Sequence, residues 1–345
     1  MKKVSFRIIT VLAALFAASC SSPVSSDNSA AMLLPLLLSR GSGKAIMDFI
    51  FNKATGTITG YNGPGGVLTI PASIDGVAVI AIEKNAFRNK NISAVAIPDS
   101  VTSIGDGAFS DNQLTYVSLG PNVTLNGEPF GGGFEAAYDI DKYKDIYARP
   151  DSASTAWTYH PYNTVFTWNG STAYTITGYT GAWTAVPIPS SIGGVTVTAI
   201  GDNAFQNKSL TAVAIPDSVT SIGSHAFAFN HLTSVVIPSS VTSIGLSAFV
   251  SNQLTAVAIP DSVTSIGDSA FYLNQLTSVT IPNSVTTIGN GAFYSNQLTS
   301  ITIGAGVGFG TTPFDNGFEA AYAGTSQAAG TYTRPNTSST VWTKQ

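Results

Sequence analysis

Hydrophobic and polar positions along this chain follow a pattern that returns every 22 residues. The segment 241–249, Val-Thr-Ser-Ile-Gly-Leu-Ser-Ala-Phe, returns at 263–271 with one substitution. A phenylalanine marks the same place in successive copies: Phe87, Phe109, Phe205, Phe227, Phe249, Phe271 and Phe293. A fixed period of about 20 to 50 residues is typical of solenoids, in which each coil buries its apolar side chains against neighbouring coils. The pattern predicts a mainly β solenoid of 22-residue coils, with the phenylalanines as a ladder in its core.

Residues 276–297 show how one coil maps onto strands and turns. The first half alternates as a strand with one buried face requires: Leu276, Val279 and Ile281 are apolar, and Ser278 and Thr280 lie between them. Pro282 ends this strand because it has no N–H to donate to a ladder. Val285 and Ile288 form a second inward segment, for which we expect short strands or one-turn helices, and Gly289 permits a tight bend. Strands of successive coils should be parallel and about 4.8 Å apart.

A column of asparagines occupies the turn before each new coil. Its members are Asn112, Asn230, Asn252, Asn274 and Asn296. An inward asparagine bonds open backbone groups at a corner, and stacked copies form a ladder. We therefore predict a structural asparagine ladder beside the phenylalanine ladder.

The chain uses one design twice. Ile58-Thr-Gly-Tyr61 returns at 176–179, and Gly133-Phe-Glu-Ala-Ala-Tyr138 returns at 317–322, so the second version has the same ends and three more coils between them. Each version opens with a longer coil and closes with an aromatic segment that lacks the repeat, as terminal coils of solenoids commonly do. We predict a first module over residues 49–160 and a longer second module over residues 161–345, each with atypical caps.

Residues 1–19 have the features of a targeting segment. Basic residues are followed by an apolar stretch, 8–18, that is too short to span a bilayer. Small residues then precede Cys20, the only cysteine, and this arrangement resembles a bacterial lipoprotein signal, with Ala17 where that pattern has leucine. The resemblance implies cleavage before Cys20 and lipidation of that residue, with residues 20–48 as a tether. The alternative is an ordinary signal peptide with a chance cysteine. We assign no function to the apolar run Met32–Leu38.

The coil consensus resembles the BspA-type, or treponemal-type, leucine-rich repeat. The pattern Leu-Thr-Ser-Val-x-Ile-Pro-x-Ser-Val-Thr-Ser-Ile-Gly-x-x-Ala-Phe covers roughly residues 67–120 and 185–303. The resemblance implies a leucine-rich-repeat solenoid and a bacterial surface protein that adheres to host matrix proteins, such as fibronectin and fibrinogen, or to other bacteria. That family commonly has cysteine in the turn where this chain has asparagine, and it has no catalytic residues to transfer.

Composition and motifs argue against nucleic acid and against catalysis. Only 10% of residues are charged and the net charge is −4, whereas nucleic-acid binding needs clustered Lys and Arg. The chain has no motif of a known enzyme class. His225 and His231 share one coil, so a metal pair is an alternative to two surface histidines. We predict no catalytic residue, no metal and no cofactor, and therefore a protein that is not an enzyme.

Candidate ligand contacts lie in two places. One is the strand face, formed by the outward residues of the first strand of each coil: Ala94, Ala96, Tyr116, Ser118, Ala212, Ala214, Ser234, Val236, Ala256, Ala258, Ser278, Thr280, Ser300 and Thr302. Most are small and uncharged, and we single out Tyr116, Ser278, Thr280, Ser300 and Thr302. The other is the group of aromatic residues at the module junction, with Trp157 and Trp183 as candidates for stacking on a sugar. The alternative is that these aromatics seal the coil ends.

Together these features predict a lipid-anchored binding or adhesion scaffold of the bacterial cell envelope, at the outer membrane or cell surface. The expected partner is a protein of the extracellular matrix or of another cell, with the membrane as a second partner through Cys20. One alternative is a structural envelope spacer without a specific ligand, which the small residues of the strand face favour. Another is a carbohydrate-binding module that uses the junction aromatics.

Overall fold

The computed structural model describes residues 48–120, 123–141, 145–315 and 317–345. The predicted leader, Cys20, the run Met32–Leu38 and the tether up to residue 47 lie outside the described residues. The described chain forms a β-solenoid of about 11 turns with 22-residue spacing and little helix. This confirms the mainly β solenoid predicted from the repeat.

In the first module the described residues form twelve strands and one helix. These are β1 (Phe49–Asn52), β2 (Thr57–Tyr61), β3 (Gly66–Thr69), β4 (Ser73–Ile74), β5 (Val77–Ala78), β6 (Ala81–Ile82), β7 (Ile92–Ala96), β8 (Ser103–Ile104), β9 (Tyr116–Leu119), β10 (Thr124–Leu125), α1 (Phe134–Asp141), β11 (Asp145–Ala148) and β12 (Thr158–His160).

The described part of the second module begins with α2 (Tyr162–Val165) and continues through β13 (Phe166–Asn169), β14 (Tyr174–Tyr179), β15 (Ala185–Pro187), β16 (Ser191–Ile192), β17 (Val195–Ile200), β18 (Ala212–Ala214), β19 (Ser221–Ile222), β20 (Ser243–Ile244), β21 (Ser265–Ile266), β22 (Ser278–Thr280), β23 (Thr287–Ile288), β24 (Ser300–Ile303), β25 (Gly308–Phe309), α3 (Phe318–Gly324), β26 (Gly330–Thr333) and β27 (Thr343–Lys344).

Each coil contributes to two sheets. The first strand of the coil pairs in parallel with its equivalents, as in the order β3-β7-β9. The second inward segment forms a two-residue strand, and in the second module these strands line up in the order β17-β19-β20-β21-β23-β25 of a nine-stranded sheet. Ser243 pairs with Ser265, and Ile244 with Ile266, so equivalent residues of adjacent coils lie side by side. The segment expected to form short strands or one-turn helices is therefore a second parallel sheet.

The phenylalanines of the second module stack in one row through the core. Ring centroids of Phe227 and Phe249 lie 5.3 Å apart with planes within 9°, and those of Phe249 and Phe271 lie 5.4 Å apart within 4°. The row continues into two residues that the repeat did not identify, Phe130 in the first module and Phe314 in the second. Each follows the preceding ladder phenylalanine by 21 residues instead of 22, and each joins the ladder to a cap.

The asparagines connect the backbones of successive coils. Asn252 is buried, and its Oδ1 accepts the N–H of Leu232 at 3.0 Å. Its Nδ2 donates to the carbonyl of Phe227 at 2.9 Å and to that of Phe249 at 3.2 Å. Asn112, Asn230, Asn274 and Asn296 make the same set of bonds one or more coils away. One side chain thereby satisfies three backbone groups at a corner where the two sheets leave them open.

The glycine after each Ser-Ile strand is required by close approach of the coils, not by a bend of its own. Gly245 and Gly289 do not have positive φ. A Cβ on Gly245 would lie 2.6 Å from the carbonyl carbon of Gly223 one coil earlier, and one on Gly289 would lie 2.4 Å from the backbone nitrogen of Asp268. The column therefore lets backbones stack at a corner, which corrects the expectation that Gly289 serves a tight bend.

The extra residues of the opening coils form small hairpins. β4 pairs with β5, and β16 with the start of β17, both antiparallel. Asp75 and Gly76 have φ of 50° and 78°, the conformation that a two-residue hairpin turn needs. This insertion accounts for the longer first coil in each module.

Both modules close with the same cap. Its helix, α1 or α3, places an acidic residue so that its carboxylate accepts a backbone N–H from the end of the ladder: Glu135 from Phe130 at 2.9 Å, and Glu319 from Phe314 at 2.8 Å. A buried arginine then covers a tryptophan ring, with Arg149 4.6 Å from the centre of Trp157 and Arg334 4.8 Å from that of Trp342. The aromatic closing segments are thus seals over the last coils.

Candidate functional site

The second module covers the strand face of the first. Strands β15 and β18 lie against β3 and β7. The outward residues there are almost completely buried, with Ala94 and Ser118 at 0% exposure and Tyr116 at 1%. Ala94 and Tyr116 belong to the same buried cluster as the core of the second module. Small outward residues are what such close packing requires, because they let two sheet faces approach.

Specific contacts hold this junction. The ring of Tyr116 meets Trp183 edge to face at 5.3 Å, and the hydroxyls of Ser118 and Tyr162 lie 2.7 Å apart. The backbone N–H of Gly194 donates to the Asp99 carboxylate at 2.7 Å. Tyr116, singled out as a ligand contact, is therefore a buried junction residue. The repeat pattern placed it correctly on the outward face, but that face is covered by the other module.

The remaining candidates of the strand face lie in the second module. Thr280 is exposed, and Ser278 and Ser300 are half-buried on β22 and β24. Thr302 is bonded through its hydroxyl to Thr331 at 2.8 Å, because β26 and β27 add two antiparallel strands beside β24. The open part of this face is consequently a flat strip of hydroxyl, methyl and alanine groups between β18 and β24.

The two tryptophan candidates are not open to stacking. Trp157 is 9% exposed and lies between Arg149 and Phe134. Burial lowers the pKa of Arg149, yet a guanidinium stays charged in proteins, so the cation over this ring persists. Trp183 is half-buried between Tyr116 and His160. This arrangement favours the alternative in which the junction aromatics seal coil ends.

Other chemistry is sparse in the described residues. His225 and His231 are not brought together with carboxylates, and no group of three His, Cys, Asp or Glu suited to a metal occurs in this part of the chain. None of the helices in the described ranges has the length and apolar character needed to cross a bilayer. Burial raises the pKa of Tyr179, so its hydroxyl stays protonated and donates to the carbonyl of Trp183 at 2.9 Å.

His160 gives the junction a pH dependence. Burial lowers the pKa of its imidazole, which packs 4.9 Å from Trp183. Because the unfolded chain then binds a proton more readily than the folded one, stability is present above pH about 6.5 and falls as the pH drops through that value. We expect His160→Gln to flatten the decline in the urea midpoint between about pH 7.5 and about pH 5. His231→Gln, at an exposed position, is the matched control, and an equal flattening by both would contradict the assignment.

Stacked 22-residue coils with a first strand of the form Leu-x-x-Val-x-Ile define a leucine-rich-repeat protein. The family model for the BspA type leucine rich repeat region matches six copies, over residues 77–130 and 198–317. The chain belongs to the BspA-type leucine-rich-repeat family, as its consensus predicted. No curated protein matches the chain.

Several solved structures are similar to the chain. A leucine rich cell surface protein from Faecalibacterium prausnitzii is 28% identical over 74% of this chain and 52% of its own, with a TM-score of 0.29. A leucine-rich repeat protein from Bacteroides ovatus is 22% identical over 77% and 66%, with a TM-score of 0.35. The T. pallidum leucine rich repeat protein is 19% identical over 79% and 87%, with a TM-score of 0.29. The chain spans about half of the first of these proteins and two thirds of the second.

Proposed function

We propose that this protein is a lipid-anchored binding scaffold of the bacterial cell surface that recognises a protein partner. The observation that carries the proposal is the extended second module, whose strand face between β18 and β24 stays open while that of the first module is buried. Membership in a family of repeat proteins used as binding scaffolds supports it. Recognition would rest on many modest contacts along the coils, strengthened by display of several copies on one cell.

The division of labour follows from burial. The first module, residues 49–160, is the support, because its outward face is used up in contact with the second. The second module, residues 161–345, presents the open strip with Ser278, Thr280 and Ser300. Cys20 would join the chain to the membrane through its lipid, which requires more than one acyl chain for durable anchoring. The carbohydrate alternative loses support because Trp157 is buried, and the spacer alternative is kept as an outcome of the test.

The anchor is tested first. Cys20→Ser should move the protein from the membrane fraction to the soluble fraction, because the thioether to the lipid cannot form. Protease added to intact cells should digest the wild-type protein if it faces outward. Retention of the serine variant in the membrane fraction would overturn lipid anchoring, and protection from protease would overturn surface display.

The partner is tested with a panel of matrix proteins, including fibronectin and fibrinogen, in a saturable solid-phase assay. Thr280→Arg should weaken binding by about tenfold or more, since a long charged side chain blocks close contact with a flat neutral strip. The control is Thr286→Arg, an exposed threonine of the same coil on the Ser-Ile sheet, which should bind as the parent does. Absence of saturable binding across the panel would favour the structural spacer.

A further inference from the structure

One corner of the second module carries a column of exposed apolar side chains. Phe229, Leu273 and Tyr294 are 47%, 46% and 42% exposed. They lie one or two residues after the ladder phenylalanines, together with Val250 and Tyr272. Coil-to-coil hydrogen bonds make them neighbours: Phe229 N–H donates to the carbonyl of Val250 at 2.9 Å, and Leu273 N–H to that of Tyr294 at 3.2 Å. We name Phe229, Val250, Tyr272, Leu273 and Tyr294 the apolar ridge.

The backbone of the ridge makes these side chains costly. The second residue after each ladder phenylalanine has positive φ in the described coils, as at Asn89, Asp111, Asn207, Phe229, Ser251, Leu273 and Ser295. Asparagine and aspartate tolerate this conformation, whereas a bulky apolar residue there is an outlier. Phe229 and Leu273 nevertheless occupy it, with φ of 57° and 55°, and their side chains point to water. Exposed and strained apolar residues together indicate a surface used in binding.

The surroundings of the ridge carry almost no charge. Residues 209–333 contain no lysine or arginine, and residues 218–260 and 269–314 contain no aspartate or glutamate either. The equivalent corner of the first module differs, since Arg88 there pairs with Asp111 at 2.8 Å. A partner of the ridge therefore needs neither anionic nor cationic groups, and binding would bury no unpaired charge.

The size of the ridge bears on the kind of partner. Its three half-exposed side chains offer roughly 300 Å², while a stable protein interface takes about 800 Å² from each side. A second copy seated on the ridge alone would thus be held weakly. A bilayer needs no complementary shape, and aromatic and aliphatic side chains at a protruding corner partition into its interfacial region.

The position of the predicted anchor brings such a surface within reach. Cys20 and Asp48, the first described residue, are 28 positions apart, which spans at most about 90 to 100 Å of chain. A solenoid held at that range meets the membrane at high effective concentration, so a weak contact is enough. We propose that the apolar ridge docks on the neutral lipid surface to which the chain is anchored, an inference that rests on the proposed lipid attachment of Cys20.

Flotation with phosphatidylcholine vesicles tests this with the mature chain carrying Cys20→Ser, so that binding does not depend on the lipid. We expect this chain to float with the vesicles, equally at about 0.05 M and about 0.5 M salt. The double variant Phe229→Asn, Leu273→Asn should lower the partition coefficient by about tenfold or more. Val236→Asn, which removes an apolar residue that is 50% exposed on the strand face, should leave it unchanged.

The substituted residues are chosen to keep the fold. Asparagine occupies the same position at Asn89 and Asn207, so the double variant should be at least as stable as its parent in urea. Phe229→Ser, Leu273→Ser provides a second pair, because serine occupies that position at Ser251 and Ser295.

Failure of the parent to float, or flotation of both double variants at the parent's level, would overturn the proposal. So would flotation that requires anionic lipid, or a dimer in sedimentation that only the ridge variants dissolve. The vesicles contain no protein, so these outcomes are independent of whether a matrix protein binds.

Discussion

Phe249→Ala should lower the free energy of unfolding by about 4 kcal/mol. Phe249 is completely buried in the middle of the ladder, with neighbouring rings at 5.3 Å and 5.4 Å. Truncation removes its burial and leaves a cavity, which costs about 3 to 5 kcal/mol for a core phenylalanine. It also removes two stacked aromatic contacts, each worth about 0.5 to 1.5 kcal/mol beyond burial, although neighbouring coils can close part of the cavity. Urea unfolding followed by far-UV circular dichroism measures the loss.

The matched control is Phe229→Ala, the same substitution at a half-exposed phenylalanine two residues after the preceding ladder position. We expect that change to cost less than about 1 kcal/mol, because its side chain is not packed in the core. In a solenoid each coil contacts only its neighbours, so Phe249→Ala should also weaken the coupling between the coils on either side and broaden the transition. Equal effects of the two substitutions would contradict a ladder that stabilises the stack.

The repeat predicts those features of the fold that recur in every coil. A side chain that returns every 22 residues meets its own copy, so the phenylalanine column and the parallel pairing of Ser243 with Ser265 follow from the period alone. Features that occur once do not follow from it. Phe130 and Phe314 escaped because their spacing is 21, and a search for aromatic residues near the end of each module, allowing one residue of slack, finds them both.

The junction escaped for a different physical reason. A repeat states which side chains point outward, but contact between two modules depends on how the chain turns at residues 161–165, which the period does not describe. Tyr116 was therefore placed on the correct face and given the wrong environment. The signal that did exist is the pair Ala94 and Ala96, since two alanines in one coil leave room for another sheet.

The apolar ridge shows the same limit at the level of single columns. Consensus reasoning averages over coils, and the positions after the ladder phenylalanines look ordinary because most carry Asn, Asp or Ser. The structure adds that these positions have positive φ, and only then do Phe229 and Leu273 stand out. Departures from a column's usual residue, weighted by the backbone conformation of that column, are where function separates from scaffold in this chain.

Substitutions at Asn252 should cost about 3 kcal/mol, and their pattern should identify the donor as the important half of the amide. Asn252→Ala leaves the N–H of Leu232 and the carbonyls of Phe227 and Phe249 without this partner at a buried corner, and each unsatisfied group costs about 1 to 3 kcal/mol. Asn252→Asp keeps the acceptor for Leu232 but sets a second oxygen against two carbonyl oxygens. Its carboxyl should therefore have a raised pKa, and its stability relative to wild type should recover as the pH falls and a protonated oxygen donates again. Gln253→Ala, at the adjacent exposed position, should change the urea midpoint little. A loss in the aspartate variant that stays constant from about pH 7 to about pH 4 would show that the amide donor does not join the coils.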